Sequence, residues 1–372
     1  MRREINLDHA ATTPPDPAVI RAVCQCMESC DANPSAAYSA AGEARQQIRL
    51  AKETLSQMIG CDLTEIIFTS GGTESNNFAL RQAAGRHVIL SAIEHKSVLE
   101  AAKHQGCQIT LILPDSNGII NPQKINWAIK GDTALVSVQF ANNETGTLQH
   151  VSEIGEITRR RNVLFHCDAV QAFGHVPINV QAANIDMLSV SAHKLYGPRG
   201  TGFLYIRQNV PAQPLITGSG QEKKLRAGTE NVPAIAGFRT AALLAMEDME
   251  ERGKRLNQFL KDFVLEIKKQ NPQVTEICSR SERLPAVRAL HLPGLSSEKA
   301  VAELDLQGIR VSGGAACGTS SGGSHVLLAL GIPEKQANEV IRISPGRHTK
   351  MEDMLFAAQA ISKIINANSV KK

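Results

Sequence analysis

Aromatic residues are scarce in this 372-residue chain, 4% in all, with one Trp and three Tyr. Charge of either sign nearly cancels, 40 Lys and Arg against 36 Asp and Glu. Without basic segments interleaved with aromatics, the sequence gives no case for direct nucleic-acid binding. Long apolar runs are also missing, and none approaches the roughly 20 residues of a membrane span. The opening Met1-Arg2-Arg3-Glu4-Ile5-Asn6-Leu7-Asp8 contains no apolar core of a secretory signal. The eight cysteines follow no disulfide-framework spacing, so thiols kept reduced in a cytoplasm are expected. Cys24, Cys26 and Cys30 would fall on several faces of one helix with no histidine nearby, which speaks against a metal cluster. No repeat or low-complexity tract occurs. The expectation is a soluble cytoplasmic protein with no membrane and no metal.

What is present is a globular composition, 42% hydrophobic with 28 Gly and 16 Pro. The length suits two lobes. A Pro-rich entry, Leu7 to Pro17, gives way to a helix that Asp16 would cap with Pro17 in its first turn. From Gly42 to Ile59 apolar residues repeat at helical spacing. Short β-rich runs then recur at Ile66-Ile67-Phe68, Val88-Ile89-Leu90, Ile109 to Leu113 and Ala134 to Val138. Others follow at Val163-Leu164-Phe165, Met187 to Val190 and Phe203 to Ile206. Seven such strands, most of them separated by helix-like segments, predict an α/β fold with a largely parallel sheet covered on both faces. Ligands bind beyond the carboxyl ends of such strands. The polar residues after each run are therefore the candidates.

Ser191-Ala192-His193-Lys194-Leu195-Tyr196-Gly197-Pro198 follows the sixth run. A lysine there is either a surface residue in a turn or, if desolvated, a nucleophilic amine able to form a Schiff base. Thr69-Ser70-Gly71-Gly72-Thr73-Glu74-Ser75 opens a helix, as a capped start or as an anion cradle of backbone N–H groups and hydroxyls. It lacks the spacing of a nucleotide-binding P-loop. His95, in Glu94-His95-Lys96, is either solvated or an acid/base and stacking group. Asn142-Asn143-Glu144-Thr145-Gly146 forms a polar turn whose amides can aim at a carboxylate. In His166-Cys167-Asp168, alternate residues point to opposite faces, so the three cannot easily share a metal. Asp168 makes better sense as the partner of a buried cation. A glycine cradle, a strand-end carboxylate and a lysine nucleophile together meet the requirements of pyridoxal 5′-phosphate (PLP).

The same residues resemble the NifS/IscS group of cysteine desulfurases, among the class V aminotransferase-like enzymes of PLP fold type I. The likeness runs nearly end to end. It rests on Thr69 to Ser75, Glu94-His95-Lys96, Asn142 to Gly146, Asp168-Ala169-Val170-Gln171 and the Ser-x-His-Lys at 191–194. Arg226-Ala227-Gly228-Thr229, Val311 to Cys317 and Arg342-Ile343-Ser344 extend it. The resemblance implies a large domain over 14–250, built on a seven-stranded mostly parallel sheet. A smaller α+β domain, 1–13 with 251–372, would carry the catalytic-cysteine loop. It implies that Lys194 captures the cofactor aldehyde, Asp168 pairs with the ring nitrogen, Gln171 approaches the phenolic oxygen and His95 stacks on the ring and assists proton transfer. Gly72, Thr73, Ser191 and His193 would hold the phosphate, joined by Thr229 from the other subunit of a homodimer. Asn143 and Arg342 would clamp the substrate carboxylate, and Cys317 would take sulfur from L-cysteine as a persulfide, leaving L-alanine. A sulfur-acceptor protein, an iron–sulfur scaffold or a sulfur carrier such as one serving tRNA thiolation, would follow. The alternative reading is a PLP-dependent selenocysteine/cysteine lyase or a transaminase, which has no need of Cys317.

Two segments depart from the group's pattern. Asn33-Pro34-Ser35-Ala36-Ala37-Tyr38-Ser39 lacks the histidine usual shortly after Asn-Pro. The stretch after Cys317 reads Ser320-Ser321-Gly322-Gly323, without the usual acidic residue and proline.

Overall fold

The computed structural model describes residues 4–313 and 323–370. In chain order its strands are β1 (Ile5–Asn6), β2 (Ile66–Thr69), β3 (His87–Ser91), β4 (Gln108–Ile112), β5 (Thr133–Ser137), β6 (Leu164–Asp168), β7 (Met187–Ser191) and β8 (Gly202–Ile206). The shorter β9 (Thr275–Glu276), β10 (Arg288–His291), β11 (Ile309–Arg310), β12 (Ser312–Gly313) and β13 (Val340–Ile343) follow. Strands β2 to β8 form one seven-stranded sheet in the order β2-β8-β7-β6-β5-β3-β4. Every pair is parallel except the two that β8 makes with β2 and β7. All seven expected runs are strands of this sheet, each starting within one residue of its expected place.

The strands read as continuous apolar runs because the sheet is covered on both faces. Ile66, Phe68, Ile89, Phe203 and Tyr205 face one cluster, closed by the helices Pro17–Ser29, Ala41–Ile59, Val151–Arg160 and Val232–Gln270. Their chain neighbours Ile67, Val88, Leu90, Leu204 and Ile206 face the other, under the helices Gly72–Arg81 and Lys96–His104. This is the period-two alternation of a strand with an apolar layer on each side.

A separate cluster gathers Ile5, Leu7, Leu290, Ile341, Ile343, Met354 and Ile361. It holds the antiparallel sheet β12-β13-β10-β9 and the parallel pair β1-β11. Two apolar stretches, Ala241 to Met249 and Leu256 to Ile267, are parts of one 39-residue helix, Val232–Gln270. Its length is about 58 Å at 1.5 Å per residue. The charged run between the stretches stays helical on its own pairs, Asp248 with Arg252 and Glu250 with Lys254, one turn apart. One end buries Ile235 and Phe238 in the first cluster, and the other buries Leu260, Phe263 and Ile267 in the third.

Residues 7–16 cross the carboxyl ends of the central strands and tie the clusters together. Asp8 bridges to Ser344 in parallel. Thr13 donates from its N–H and its hydroxyl to the His193 carbonyl, both at 2.9 Å, and accepts from the Tyr196 N–H at 2.7 Å. The polar residues after β2, β3, β5, β6 and β7 therefore open beneath a strap of chain.

Candidate active site

Under that strap lies a cavity with about 920 Å³ of empty space, open to solvent at its mouth. Ten of the twelve expected site residues line it: Gly72, Thr73, His95, Asn143, Asp168, Gln171, Ser191, His193, Lys194 and Arg342. Thr229 is exposed and does not line this chain's cavity, and Cys317 lies outside the described residues.

The cradle is built from backbone first. Gly71, at φ +141°, turns the chain from β2 into the helix Gly72–Arg81. A Cβ on Gly72 would lie 2.6 Å from Cγ2 of Val170, and one on Gly202 would lie 2.7 Å from the Gly71 Cα. Only glycines let the loop close this tightly against β7 and β8. The helix start, with Thr73, Ser191 and His193 on the rim of the adjoining space, presents donors and the positive end of the helix dipole. Glu74 accepts the Ser70 N–H at 2.8 Å and pairs with Arg226 at 2.9 Å, which pins the loop from outside. His193 donates or accepts at Thr12 Oγ1, 3.1 Å from its Nδ1, and burial together with Lys194 and Arg199 pushes its pKa down to about 4.

Lys194 Nζ donates to the carbonyls of Ala10 at 2.7 Å and Ala11 at 2.8 Å. Gln171 donates to the same Ala10 carbonyl at 2.9 Å. Asp168, buried at the end of β6, accepts from the Val170 N–H at 2.9 Å and from Asn76 Nδ2 at 2.7 Å. His95 caps the helix Lys96–His104, its Nδ1 accepting from the Ser97 N–H at 3.1 Å. Burial lowers its pKa, opposed by Asp168 and reinforced by Lys194, His325 and Lys96.

Arg342, 4% exposed, donates to Asp8 Oδ1 at 2.6 Å and to the Asn143 carbonyl at 2.8 Å. Its Nε is buried with no hydrogen-bond partner among the described residues. A buried donor without an acceptor is costly and marks a place for one.

The chain is similar over nearly its whole length to named cysteine desulfurases and to NifS-like proteins of known structure. The class-V aminotransferase model matches residues 5–355. The cysteine desulfurase IscS of Dictyoglomus turgidum is 40% identical, covering 98% of this chain and 95% of its own. A NifS-like protein of known structure superposes with a TM-score of 0.91 at 32% identity, over 99% of this chain and 100% of the other. SspA in complex with cysteine superposes at 0.80 and 32% identity, over 92% and 98%.

The chain belongs to the class-V aminotransferase family, among its cysteine desulfurases. Members of that family work with PLP and release sulfur from L-cysteine, and the fold here is their fold type I. The donor set fits the cofactor: an anion cradle at a helix start, a buried carboxylate and an amine line one cavity, as PLP requires.

Some residues take places the sequence did not disclose. Asn142, read as one of the amides aimed at a carboxylate, is fully buried. Its Oδ1 accepts from the N–H groups of Glu144 and Thr145, and its Nδ2 donates to the Ile93 carbonyl at 3.1 Å. It shapes the turn instead. His166 is sealed between Ser137 at 2.8 Å and Ser189 at 3.0 Å, and burial drives its pKa down to about 3. Glu144 accepts from Ser324 Oγ at 2.5 Å, and burial raises its pKa to about 7. Asn76 and Ser97 line the cavity without having been singled out. Their signal was available, since Asn76 follows Gly72 by one helical turn and Ser97 follows His95 by two residues.

Proposed function

We propose that Lys194, Asp168, His95 and Cys317 perform the desulfurase chemistry, and that Arg342 with Asn143 positions L-cysteine. The observation that carries this reading is the enclosure of Lys194, Asp168 and the Arg342 guanidinium in one cavity with the Gly71-Gly72-Thr73 helix start. Gly72, Thr73, Ser191 and His193 would hold the cofactor phosphate, Asp168 its ring nitrogen, Gln171 its phenolic oxygen and Lys194 its aldehyde. Bound there, PLP supplies an electron sink for the carbon skeleton of an amino acid.

The residues divide the work. The Arg342 fork, already fixed by Asp8, offers its remaining donors to the cysteine carboxylate beside Asn143, with a planar geometry a lysine lacks. Lys194, once displaced by the substrate amine, removes the α-proton. His95 would stack on the cofactor ring and assist proton transfer there. The Cys317 thiolate attacks the substrate sulfur, forming an S–S bond while the Cβ–S bond breaks and its electron pair stays on carbon. Cβ would take up one proton and Cα regain the one it lost, giving L-alanine, and the sulfur would remain on Cys317 as a persulfide.

We further infer a homodimer in which Thr229 serves the neighbouring subunit's phosphate site, consistent with its exposure here. A domain division at 14–250 against 1–13 with 251–372 is supported by the separate apolar cluster around Leu290 and Ile343. The acceptor we propose is an iron–sulfur scaffold or a sulfur-carrier protein in the cytoplasm, a setting in keeping with the seven free thiols described.

Single-turnover reaction of the PLP-loaded protein with L-cysteine tests the assignment. L-Alanine together with one extra sulfur on the alkylated Cys317 peptide is the expected result. Cys317→Ala should keep the cofactor and substrate spectra and lose the sulfur product by more than about 100-fold. Pyruvate, or a converted cofactor with no persulfide, would assign a lyase or transaminase instead.

A further inference from the structure

Four groups form one hydrogen-bonded line along the floor of the cavity. Asp168 Oδ2 accepts from Asn76 Nδ2 at 2.7 Å. The same nitrogen donates to Ser97 Oγ at 2.8 Å. Ser97 Oγ lies 2.7 Å from His95 Nδ1, and the Ser97 N–H reaches that Nδ1 at 3.1 Å. Asn76 is 1% exposed and Asp168 is 7% exposed, so little water competes for these bonds.

The proton positions follow from which groups can only donate. A backbone N–H never accepts, so Nδ1 of His95 is an acceptor and carries no proton. Ser97 Oγ already accepts from Asn76, and its own proton is free to point at Nδ1. The neutral ring then holds its proton on Nε2. The Asn76 amide is turned by the carboxylate, since the opposite orientation would set its oxygen against Oδ2. That orientation leaves Asn76 Oδ1 buried without a partner among the described residues. An unsatisfied buried acceptor is costly, and the two charge-directed donations from Nδ2 are what hold the amide in place.

We propose that Asn76 and Ser97 are positioning residues that fix His95 as its Nε2–H tautomer and link its ring to Asp168. The proposal deepens the assignment of His95 and Asp168 to the cofactor site and rests on it. Through Asn76, the group set against the ring nitrogen and the group set over the ring face share one proton arrangement. Besides Asp168, the charged or titrating groups acting on the ring are Lys194, His325 and Lys96, all of which oppose its protonation.

Isotope-edited NMR of the histidine nitrogens in the full chain, with and without PLP, tests this directly. Wild type should show Nε2 protonated and Nδ1 bare for His95 in both forms. Ser97→Ala removes a donor to the neutral ring and should raise the His95 titration midpoint by roughly 0.5–1 pH unit, a single weak hydrogen bond in size. The acid limb of the kcat/KM profile should move the same way, and Ser97→Thr should restore both. Asn76→Ala frees the Ser97 hydroxyl to turn away from Nδ1 and should move the midpoint in the same direction, while the unfolding temperature reports that the fold is kept. A protonated Nδ1 in wild type, or an unmoved titration in both Ser97→Ala and Asn76→Ala, would overturn the proposal. If the tautomer is as stated but PLP leaves the His95 resonances untouched, the cofactor-site assignment fails instead.

Discussion

At Arg342 the choice between a guanidinium and an ammonium is decided by geometry. One nitrogen is committed to Asp8 and one to the Asn143 carbonyl, which leaves the rest of the fork aimed by both. Arg342→Lys keeps the charge but cannot keep the two anchors and the bidentate grip together. We expect KM for L-cysteine to rise by about 10–100-fold with a smaller change in kcat, the loss of one or two charge-assisted bonds. Glu144 makes a second residue-level prediction, with its sign set by linkage. Its pKa is raised from 4.5 to about 7 by burial, so the folded state holds that proton more tightly than the unfolded chain. The contribution is complete below about pH 4.5 and is lost as pH rises through about 7. Glu144→Gln removes the loss. Its unfolding temperature should match wild type at pH 4 and exceed it at pH 8, and equal shifts at both would refute the argument.

The element that sets the cofactor cradle is the turn from β2 into the helix Gly72–Arg81. Gly72→Ala places a methyl 2.6 Å from the stiff, branched Val170 side chain, two residues past Asp168. Strand end and helix start must part, at a cost of about 1–3 kcal/mol for overpacking. We expect weaker PLP retention together with a lower unfolding temperature, read by absorbance on dilution and by thermal melting. This element was legible because Gly-Gly before a helix has few purposes, and the seven strands were legible because doubly covered strands become apolar runs. Other elements were hidden for physical reasons. Strands of two residues, such as β1 and β11, are too short to carry a period. The 39-residue helix passes through Glu247 to Arg255, whose charges interrupt the apolar pattern but pair along the helix. Asn142 and Asn143 are adjacent amides of identical composition. One is folded into its own turn and the other faces the cavity, a difference that arises only from the register of the turn.

Across the whole molecule, the cavity draws its walls from three places far apart in the chain: the strap at Ala10 and Ala11, the central sheet and Arg342 of β13. A ligand bound there holds all three, and binding only to the folded state adds about 2.7 kcal/mol at 100 times the dissociation constant. Stripping PLP should therefore lower the unfolding temperature by a few degrees. It should also speed protease cleavage within residues 7–16, whose Ala10 and Ala11 line the cavity. An unchanged melt and an unchanged cleavage pattern would argue against the cofactor bridging these walls. Thr229 was beyond the reach of one chain altogether. It is exposed on this copy, and the phosphate role proposed for it requires a second copy.

The strap has a consequence for how the protein is made. Asp8 is synthesised long before its partner Arg342, which lies 334 positions later. Leu7 and Ser344 are joined across 337 positions. A nascent chain can complete the seven-stranded sheet once residue 206 is out, yet Arg342 has not been synthesised. The strap can therefore meet His193 and Tyr196 along with the sheet, but its ties to Arg342 and Ser344 close only afterwards.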